Sequence, residues 1–174
     1  MQSGWNMKMV RCLIYMAALG AATFPLGRLI KRLKPHWEMW PFRGCVWERN
    51  GAIYERLGIR RWKDIAPDVS WVFPNIVPPK KILRMPNPEA VVDMLRETCV
   101  AEAVHWMLCA AGLLLPALWP GKAGVALCLL YIFLGNGPFI IIQRYNRPRY
   151  RQMLESARRR ERRLKDAGTD TVVQ

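Results

Sequence analysis

Charged and apolar residues are segregated along this chain, and the segregation predicts its main elements. Three long apolar stretches lie at about 9–27, 98–119 and 123–142, and the last of them contains no charged residue. About 20 mostly apolar helical residues are enough to cross the hydrocarbon core of a bilayer. The pattern therefore predicts an all-α integral membrane protein with about three transmembrane helices, which form one membrane domain over residues 1–174.

The first apolar stretch allows two interpretations, because basic residues precede it. Lys8 and Arg11 followed by a short apolar run are typical of a secretory signal peptide. The stretch has no convincing small-x-small cleavage site before the basic cluster that begins at Arg28. We therefore expect a retained membrane anchor.

Two short motifs predict where the second apolar helix begins and how it connects to the third. Asn87-Pro88-Glu89 combines an N-cap residue, a proline at the first helical position and an acidic residue that complements the helix dipole. Neither Gly nor Pro interrupts residues 89–111, so one long helix should begin at the membrane surface and continue into the second span. Pro120-Gly121-Lys122 predicts a tight turn, so the second and third spans should form an antiparallel hairpin.

The net charge of +14 is distributed unevenly and predicts the orientation in the membrane. The region 28–97 carries 14 of the 27 Lys and Arg residues, and the tail 144–174 carries 10. Basic residues near spans favour the cytoplasmic side, so we expect both regions there and a cell-membrane location. The region 28–97 is rich in Pro and Trp and should pack on the membrane face. The tail predicts a basic C-terminal helix that contacts anionic lipids, although a basic tail without further role explains it equally well.

Several classes of protein find no support in the sequence. A soluble nucleic-acid binder would have no use for uncharged segments of membrane length, so we expect no nucleic-acid partner. The five cysteines show no CxxC spacing, which argues against a disulfide framework or a zinc site. The chain also lacks the motifs of serine hydrolases, P-loop NTPases, dinucleotide-binding enzymes and HExxH proteases, and no metal or cofactor is expected.

Two ionisable residues inside the second span are the first candidates for chemistry. Glu102 and His105 are three residues apart, so they share one face of a helix. Ionisable groups are costly inside a bilayer and usually face protein or a wet cavity. A neutral imidazole held by a carboxylate can act as a general base, but the pair can equally serve to tie helices together. A di-iron site would need a second E-x-x-H motif, and the chain has one copy.

A second candidate is Asn136, within Gly135-Asn136-Gly137-Pro138. Glycines and a proline in mid-span loosen the helix and expose backbone groups, which is tolerated only against protein or a cavity. At about 1.5 Å per residue, Asn136 and His105 both lie roughly 10 Å inside the cytoplasmic boundary, so they can line one pocket. A packing kink that lets helices approach closely is the competing explanation.

Two polar segments near the cytoplasmic boundary are candidates for substrate binding. Arg144 and Arg147 follow the third span, and guanidinium groups suit phosphate or carboxylate, although the bias of basic residues toward the cytoplasm also explains them. A polar and aromatic segment with Arg61-Trp62-Lys63 can fold over the membrane face as a lid, or it is a solvated run of charges.

These motifs resemble one known family. The chain resembles the glycosyl-4,4'-diaponeurosporenoate acyltransferases in the run NGPFIIIQRYNRPR at 136–149 and in the sequence EAVHW at 102–106. It also resembles them in the loop motifs ERNG at 48–51, YER at 54–56 and RWK at 61–63. The similarity extends from about residue 48 to residue 154. The family consists of small membrane proteins, and its named activity is the last step of staphyloxanthin synthesis. In that step a fatty acyl group is transferred to a sugar hydroxyl of a glycosylated C30 carotenoid.

The resemblance and the residue arguments together predict a membrane O-acyltransferase. We expect His105 to deprotonate the sugar hydroxyl, Glu102 to orient His105, and Asn136 to donate a hydrogen bond to the developing oxyanion. The acceptor would be a glycolipid, and the donor an acyl-CoA, an acyl carrier or a phospholipid. A non-catalytic membrane subunit that binds lipid or organises partner enzymes is the alternative. The expected substrate-binding residues are Gln143, Arg144, Tyr145, Asn146, Arg147, Trp106, Arg61, Trp62 and Lys63.

Overall fold

The computed structural model describes residues 2–63 and 87–170, and all regular structure within these ranges is helical. The Pro-rich part of the predicted membrane-face region, at 71–86, lies outside the described residues. The α-helices are α1 (Gln2–Arg32), α2 (Ala52–Arg56), α3 (Ile59–Trp62), α4 (Pro88–Gly112), α5 (Leu115–Leu118), α6 (Lys122–Leu130) and α7 (Gly137–Asp170). Two further segments are a 3₁₀ helix at Val46–Gly51 and a π-helical turn at Tyr131–Asn136.

Three helical segments are long and apolar enough to cross a membrane, which confirms the predicted number. They are Gly4–Arg32, Pro88–Leu118 and Lys122–Ala167. The third has 46 residues and is about 69 Å long at about 1.5 Å per residue, more than twice the thickness of a bilayer core. The predicted basic C-terminal helix is therefore the continuation of the third span through Pro148, not a separate helix.

Helix α4 begins where the sequence predicts. The side chain of Asn87 accepts a hydrogen bond from the backbone N–H of Ala90 at 2.8 Å, and Pro88 occupies the first helical position. The helix then runs for 25 residues without interruption to Gly112. The N-cap bond satisfies one of the donors that a helix start leaves unpaired.

Helices α4 and α7 pack against each other in antiparallel fashion and position the candidate site. Leu154 of α7 lies in an apolar cluster with Val91 and Leu95 from the start of α4. At the other end of the hairpin, Gly112 allows the close approach, since a Cβ there would lie 2.7 Å from the ring of Tyr131. Helix α4 therefore faces α7 and the π-helical turn before it over most of its length.

A left-handed bend brings the loop before α2 under α7. Arg49, Asn50 and Gly51 have φ angles of 47°, 54° and 88°, three consecutive residues in a region that side chains other than glycine rarely adopt. Such conformations cost about 1–3 kcal/mol each for residues other than glycine and persist only where surrounding contacts hold them. Glu48, directly before the bend, is buried, and its side chain meets Arg144 of α7.

Candidate active site

A cluster of buried charges joins α4, α7 and the loop before α2. Glu102 is fully buried, and its carboxylate accepts hydrogen bonds from Arg144 Nε at 2.7 Å and from Arg147 Nη2 at 2.6 Å. Arg144 Nη1 also donates to Glu48 Oε1 at 2.7 Å. Two carboxylates thus balance two guanidinium groups, as burial of charge requires.

The remaining contacts of the two arginines are also with the protein. Arg144 Nη2 donates to the carbonyl of Pro41 at 2.9 Å, and Arg147 Nη1 donates to the carbonyl of Phe42 at 2.6 Å. Arg147 Nε donates to the hydroxyl of Thr98 at 3.1 Å. Each guanidinium therefore makes three hydrogen bonds that hold the 41–42 loop against the two long helices. This geometry favours a structural role over the predicted grip on an anionic substrate.

Glu48 is held as a carboxylate by several donors. Its oxygens accept hydrogen bonds from the hydroxyl of Tyr54 at 2.6 Å and from the backbone N–H of Cys45 at 2.8 Å, besides the bond from Arg144. Burial raises the pKa of the Glu48 carboxyl, but these hydrogen bonds outweigh it and leave the pKa below its usual value. Burial and the neighbouring Glu48 carboxylate raise the pKa of Tyr54, so the pair is a neutral phenol bound to a carboxylate.

The second part of the site is a histidine held by an asparagine. His105 Nδ1 lies 3.0 Å from Asn136 Oδ1, and Asn136 Nδ2 donates to the carbonyl of Tyr131 at 3.0 Å. Since the amide nitrogen faces the carbonyl, the amide oxygen must face the imidazole, and His105 Nδ1 must carry the proton. Nε2 then keeps its lone pair and can accept a proton. The ring stacks on Phe139, with centroids 4.8 Å apart and planes inclined by 6°.

A π-helical turn places Asn136 opposite His105. The turn spans Tyr131–Asn136 and is followed directly by Gly137 and Pro138, so the loosening that the sequence predicts takes this form. Single π-helical turns within α-helices occur frequently at functional sites. The predicted proximity of Asn136 and His105 is confirmed by their hydrogen bond.

The structure divides Glu102 and His105 between two groups of partners. The two residues lie one helical turn apart on α4, and both side chains point to the third span, as their spacing predicts. Glu102, however, binds Arg144, Arg147 and the indole N–H of Trp106, the last at 3.3 Å, whereas His105 binds Asn136. The predicted orientation of His105 by Glu102 therefore needs correction, because Asn136 performs it. The oxyanion role of Asn136 stays a prediction: its Oδ1 faces the imidazole, and one N–H of its Nδ2 is used by the carbonyl of Tyr131.

The other predicted substrate-binding residues lie around the cluster in different environments. Tyr145 is buried with Tyr54, Ile59 and Ile142, and Trp62 packs against this group. Lys63 Nζ lies 5.8 Å from the centre of the Tyr145 ring. The remaining three are not joined to the buried charges by a hydrogen bond within the described residues: Arg61 is exposed, and Gln143 and Asn146 are partly buried.

Sequence reasoning missed Glu48 and Thr98 as partners of the arginines. The signal for a second carboxylate was charge balance, since two buried arginines beside one buried glutamate leave a positive charge uncompensated. Nothing in the local sequence indicated Thr98. Within residues 2–63 and 87–170, no group of three or more His, Cys, Asp or Glu side chains is placed to hold a metal ion.

Comparison with known proteins identifies the class to which this site belongs. A family model described as glycosyl-4,4'-diaponeurosporenoate acyltransferase matches residues 38–156, a range that contains the whole charge cluster and the His105–Asn136 pair. This helical protein with three candidate spans is therefore an acyltransferase by family.

Individual relatives agree with the family match. Glycosyl-4,4'-diaponeurosporenoate acyltransferases of Staphylococcus aureus strains N315 and USA300 are each 30% identical over 123 residues, which cover 68% of this chain and 71% of theirs. The protein of strain Newman is 29% identical over the same length. No solved structure matches. The chain belongs to the glycosyl-4,4'-diaponeurosporenoate acyltransferase family, which confirms the resemblance seen in its sequence.

Proposed function

We propose that this protein is a membrane O-acyltransferase that transfers a fatty acyl group to a sugar hydroxyl of a membrane glycolipid. The relatives are named for glycosyl-4,4'-diaponeurosporenoate, so a glycosylated carotenoid of this kind is the proposed acceptor. The observation that carries the mechanism is the hydrogen bond between His105 Nδ1 and Asn136 Oδ1. This bond leaves Nε2 free to act as a base, on a helix that is long and apolar enough to cross a membrane.

In the proposed reaction, His105 Nε2 removes the proton from the sugar hydroxyl as the oxygen attacks the acyl carbonyl of the donor. The bond from the carbonyl carbon to the leaving group then breaks. The imidazolium returns its proton to the leaving group, so the products are the sugar ester and the free thiol or alcohol of the donor. Asn136 Oδ1 accepts from the ring throughout, and thereby stabilises the imidazolium and keeps the ring oriented.

The charge cluster supports this geometry from one side. Glu102 lies one turn from His105 on α4, and Arg144 lies eight residues after Asn136 on α7. The bonds from Arg144 and Arg147 to Glu102 therefore fix the register of α4 against α7. That register is the one in which His105 meets Asn136, so the arginines position the base without contacting the substrate.

A transfer assay with the purified protein tests the proposal. The full-length protein in liposomes should move a radiolabelled acyl group from a donor to the sugar of a purified glycolipid, as seen by mass and by label. The His36→Ala protein is a matched control for the His105→Ala variant, because it removes the other histidine of the chain, which is exposed and stacks on Trp37. A well-folded protein that transfers no acyl group from thioester or phospholipid donors would contradict the proposal and support the lipid-binding subunit instead.

The proposed orientation places residues 28–97 and the C-terminal tail in the cytoplasm. It rests on the 24 Lys and Arg residues in these two regions, against Lys122 alone in the hairpin turn. Reporter fusions at Lys80 and after Asp166 should both report the cytoplasm, and a fusion at Lys122 should report the exterior. Opposite reports from positions 80 and 166 would contradict the three-span topology.

A further inference from the structure

A cavity of about 530 Å³ lies beside the charge cluster, between the loop that contains Phe42 and Glu48 and the part of α7 that follows Arg144. Its α7 wall begins at Arg144 and continues toward the C-terminus, whereas Asn136 lies eight residues before Arg144. The cavity therefore lies toward the basic tail, at the end of the third span proposed to face the cytoplasm. The function proposed above assigns it no role.

The walls of this cavity carry more positive than negative charge. Four arginines line it, at 43, 144, 147 and 151, against the two carboxylates of Glu38 and Glu48. Arg144 and Arg147 are already balanced by Glu48 and Glu102. Arg43 and Arg151 are left to act on a ligand, and Glu38, which pairs with Arg151, is the carboxylate of the walls that opposes them.

Both of these guanidinium groups are available to an incoming anion. Within the described residues, no ion pair involves Arg43. Arg151 pairs with Glu38 at 3.5 Å, and both side chains are about half exposed, so the pair is worth little and exchanges readily. Guanidinium groups bind phosphate through paired donors, so a phosphate ester is the ligand that suits these walls.

The distance between the cavity and His105 restricts the kind of phosphate ester. Along α7, Arg144 and Arg151 lie eight and fifteen residues beyond Asn136, which is about 12 and 22 Å at about 1.5 Å per residue. In a phospholipid, only the glycerol backbone separates the phosphate from the acyl carbonyl, and it is too short for this offset. In a phosphopantetheine thioester, a long extended arm separates the two groups.

We propose that this cavity binds the phosphate end of a phosphopantetheine-linked acyl thioester, through Arg43 and Arg151. The direction of the arm, from the cavity toward His105, rests on the proposed function. Acyl-CoA and an acylated carrier protein share this chemistry, and both are cytoplasmic. The step is then an acyl transfer from sulfur to oxygen: the sugar oxygen forms the ester bond, the C–S bond breaks, and the thiol leaves with the proton from His105.

The kinetic test compares donors with and without phosphate. Arg43→Gln and Arg151→Gln should each raise KM for acyl-CoA by about tenfold with little change in kcat, the effect expected from loss of a charge-assisted hydrogen bond. KM for an acyl N-acetylcysteamine thioester, which carries no phosphate, should stay the same. The Arg163→Gln control removes the same charge from an exposed position outside the cavity and should leave both values unchanged. Equal effects on both donors, or equal effects from Arg163→Gln, would overturn the proposal.

Two further measurements identify the source of the phosphate and separate this site from the function. Acyl-CoA and an acylated carrier protein are compared as donors, and an arginine-dependent KM with either supports the site, whereas transfer from phospholipid alone would overturn it. Direct binding of CoA to the full-length protein, measured by calorimetry, should weaken about tenfold in each arginine variant. Arginine-dependent binding of CoA without any acyl transfer would support the cavity assignment and contradict the proposed function. Active acyl transfer without CoA binding would support the proposed function and overturn the cavity assignment.

Discussion

The His105→Ala variant should turn over about 10²–10⁴ times more slowly than the native protein, which is the usual contribution of a positioned general base. The reason is the lone pair on Nε2, since the hydrogen bond between Nδ1 and Asn136 Oδ1 selects the neutral tautomer with its proton on Nδ1. The measurement is kcat for acyl transfer to the glycolipid. Asn136→Ala should lower kcat less, because the imidazole remains and only its orientation and its tautomer are no longer fixed.

The double variant and a stability measurement separate catalysis from folding. His105→Ala combined with Asn136→Ala should be about as slow as His105→Ala alone, since groups that act as a unit are not additive. Each variant needs a thermal melting curve in detergent, because the pair also joins α4 to the third span. A well-folded His105→Ala protein with native turnover would contradict the general-base role and leave the pair as a structural tie.

Glu102→Gln should lower the free energy of unfolding by about 3–5 kcal/mol, the usual effect of breaking a buried ion pair by removing one partner. Glu102 is fully buried and is the carboxylate that Arg144 and Arg147 share, so its neutralisation leaves a buried positive charge uncompensated. Denaturant unfolding in mixed micelles, followed by tryptophan fluorescence, measures the change.

A matched surface variant and a double variant test this explanation. Glu97→Gln removes a carboxylate from the same helix, but its pair with Lys31 is half exposed, so the loss should be below about 1 kcal/mol. Glu102→Gln combined with Arg147→Gln leaves Arg144 paired with Glu48, and should cost less than the sum of the single changes. Equal losses from Glu102→Gln and Glu97→Gln would contradict the importance of the buried cluster.

The elements of the fold could be predicted because local patterns encode them. The apolar runs specify spans whether or not the spans touch each other, and Asn87-Pro88 specifies the start of α4 through a bond within one turn. The meeting of His105 and Asn136 also followed from the sequence. A hairpin with a regular rise per residue fixes which depths of its two helices face each other.

The partners of the charged side chains could not be predicted in the same way. Spacing puts Glu102 beside His105 on one helix, but the tertiary structure gives it Arg144 and Arg147 and leaves the histidine to Asn136. A desolvated carboxylate is stabilised most by the full charges within its reach, and proximity along a helix does not determine which charges those are.

The sequence by itself therefore determined the number of long apolar helices, the start of α4 and the proximity of His105 to Asn136. The tertiary structure decided which groups surround that histidine and which groups neutralise the buried arginines. Glu48 shows the physical reason most clearly. It lies 96 residues from Arg144 along the chain, and the two meet in the folded protein directly before a bend of three consecutive left-handed residues. Local propensity disfavours that bend, so the contacts of the folded protein are what maintain it.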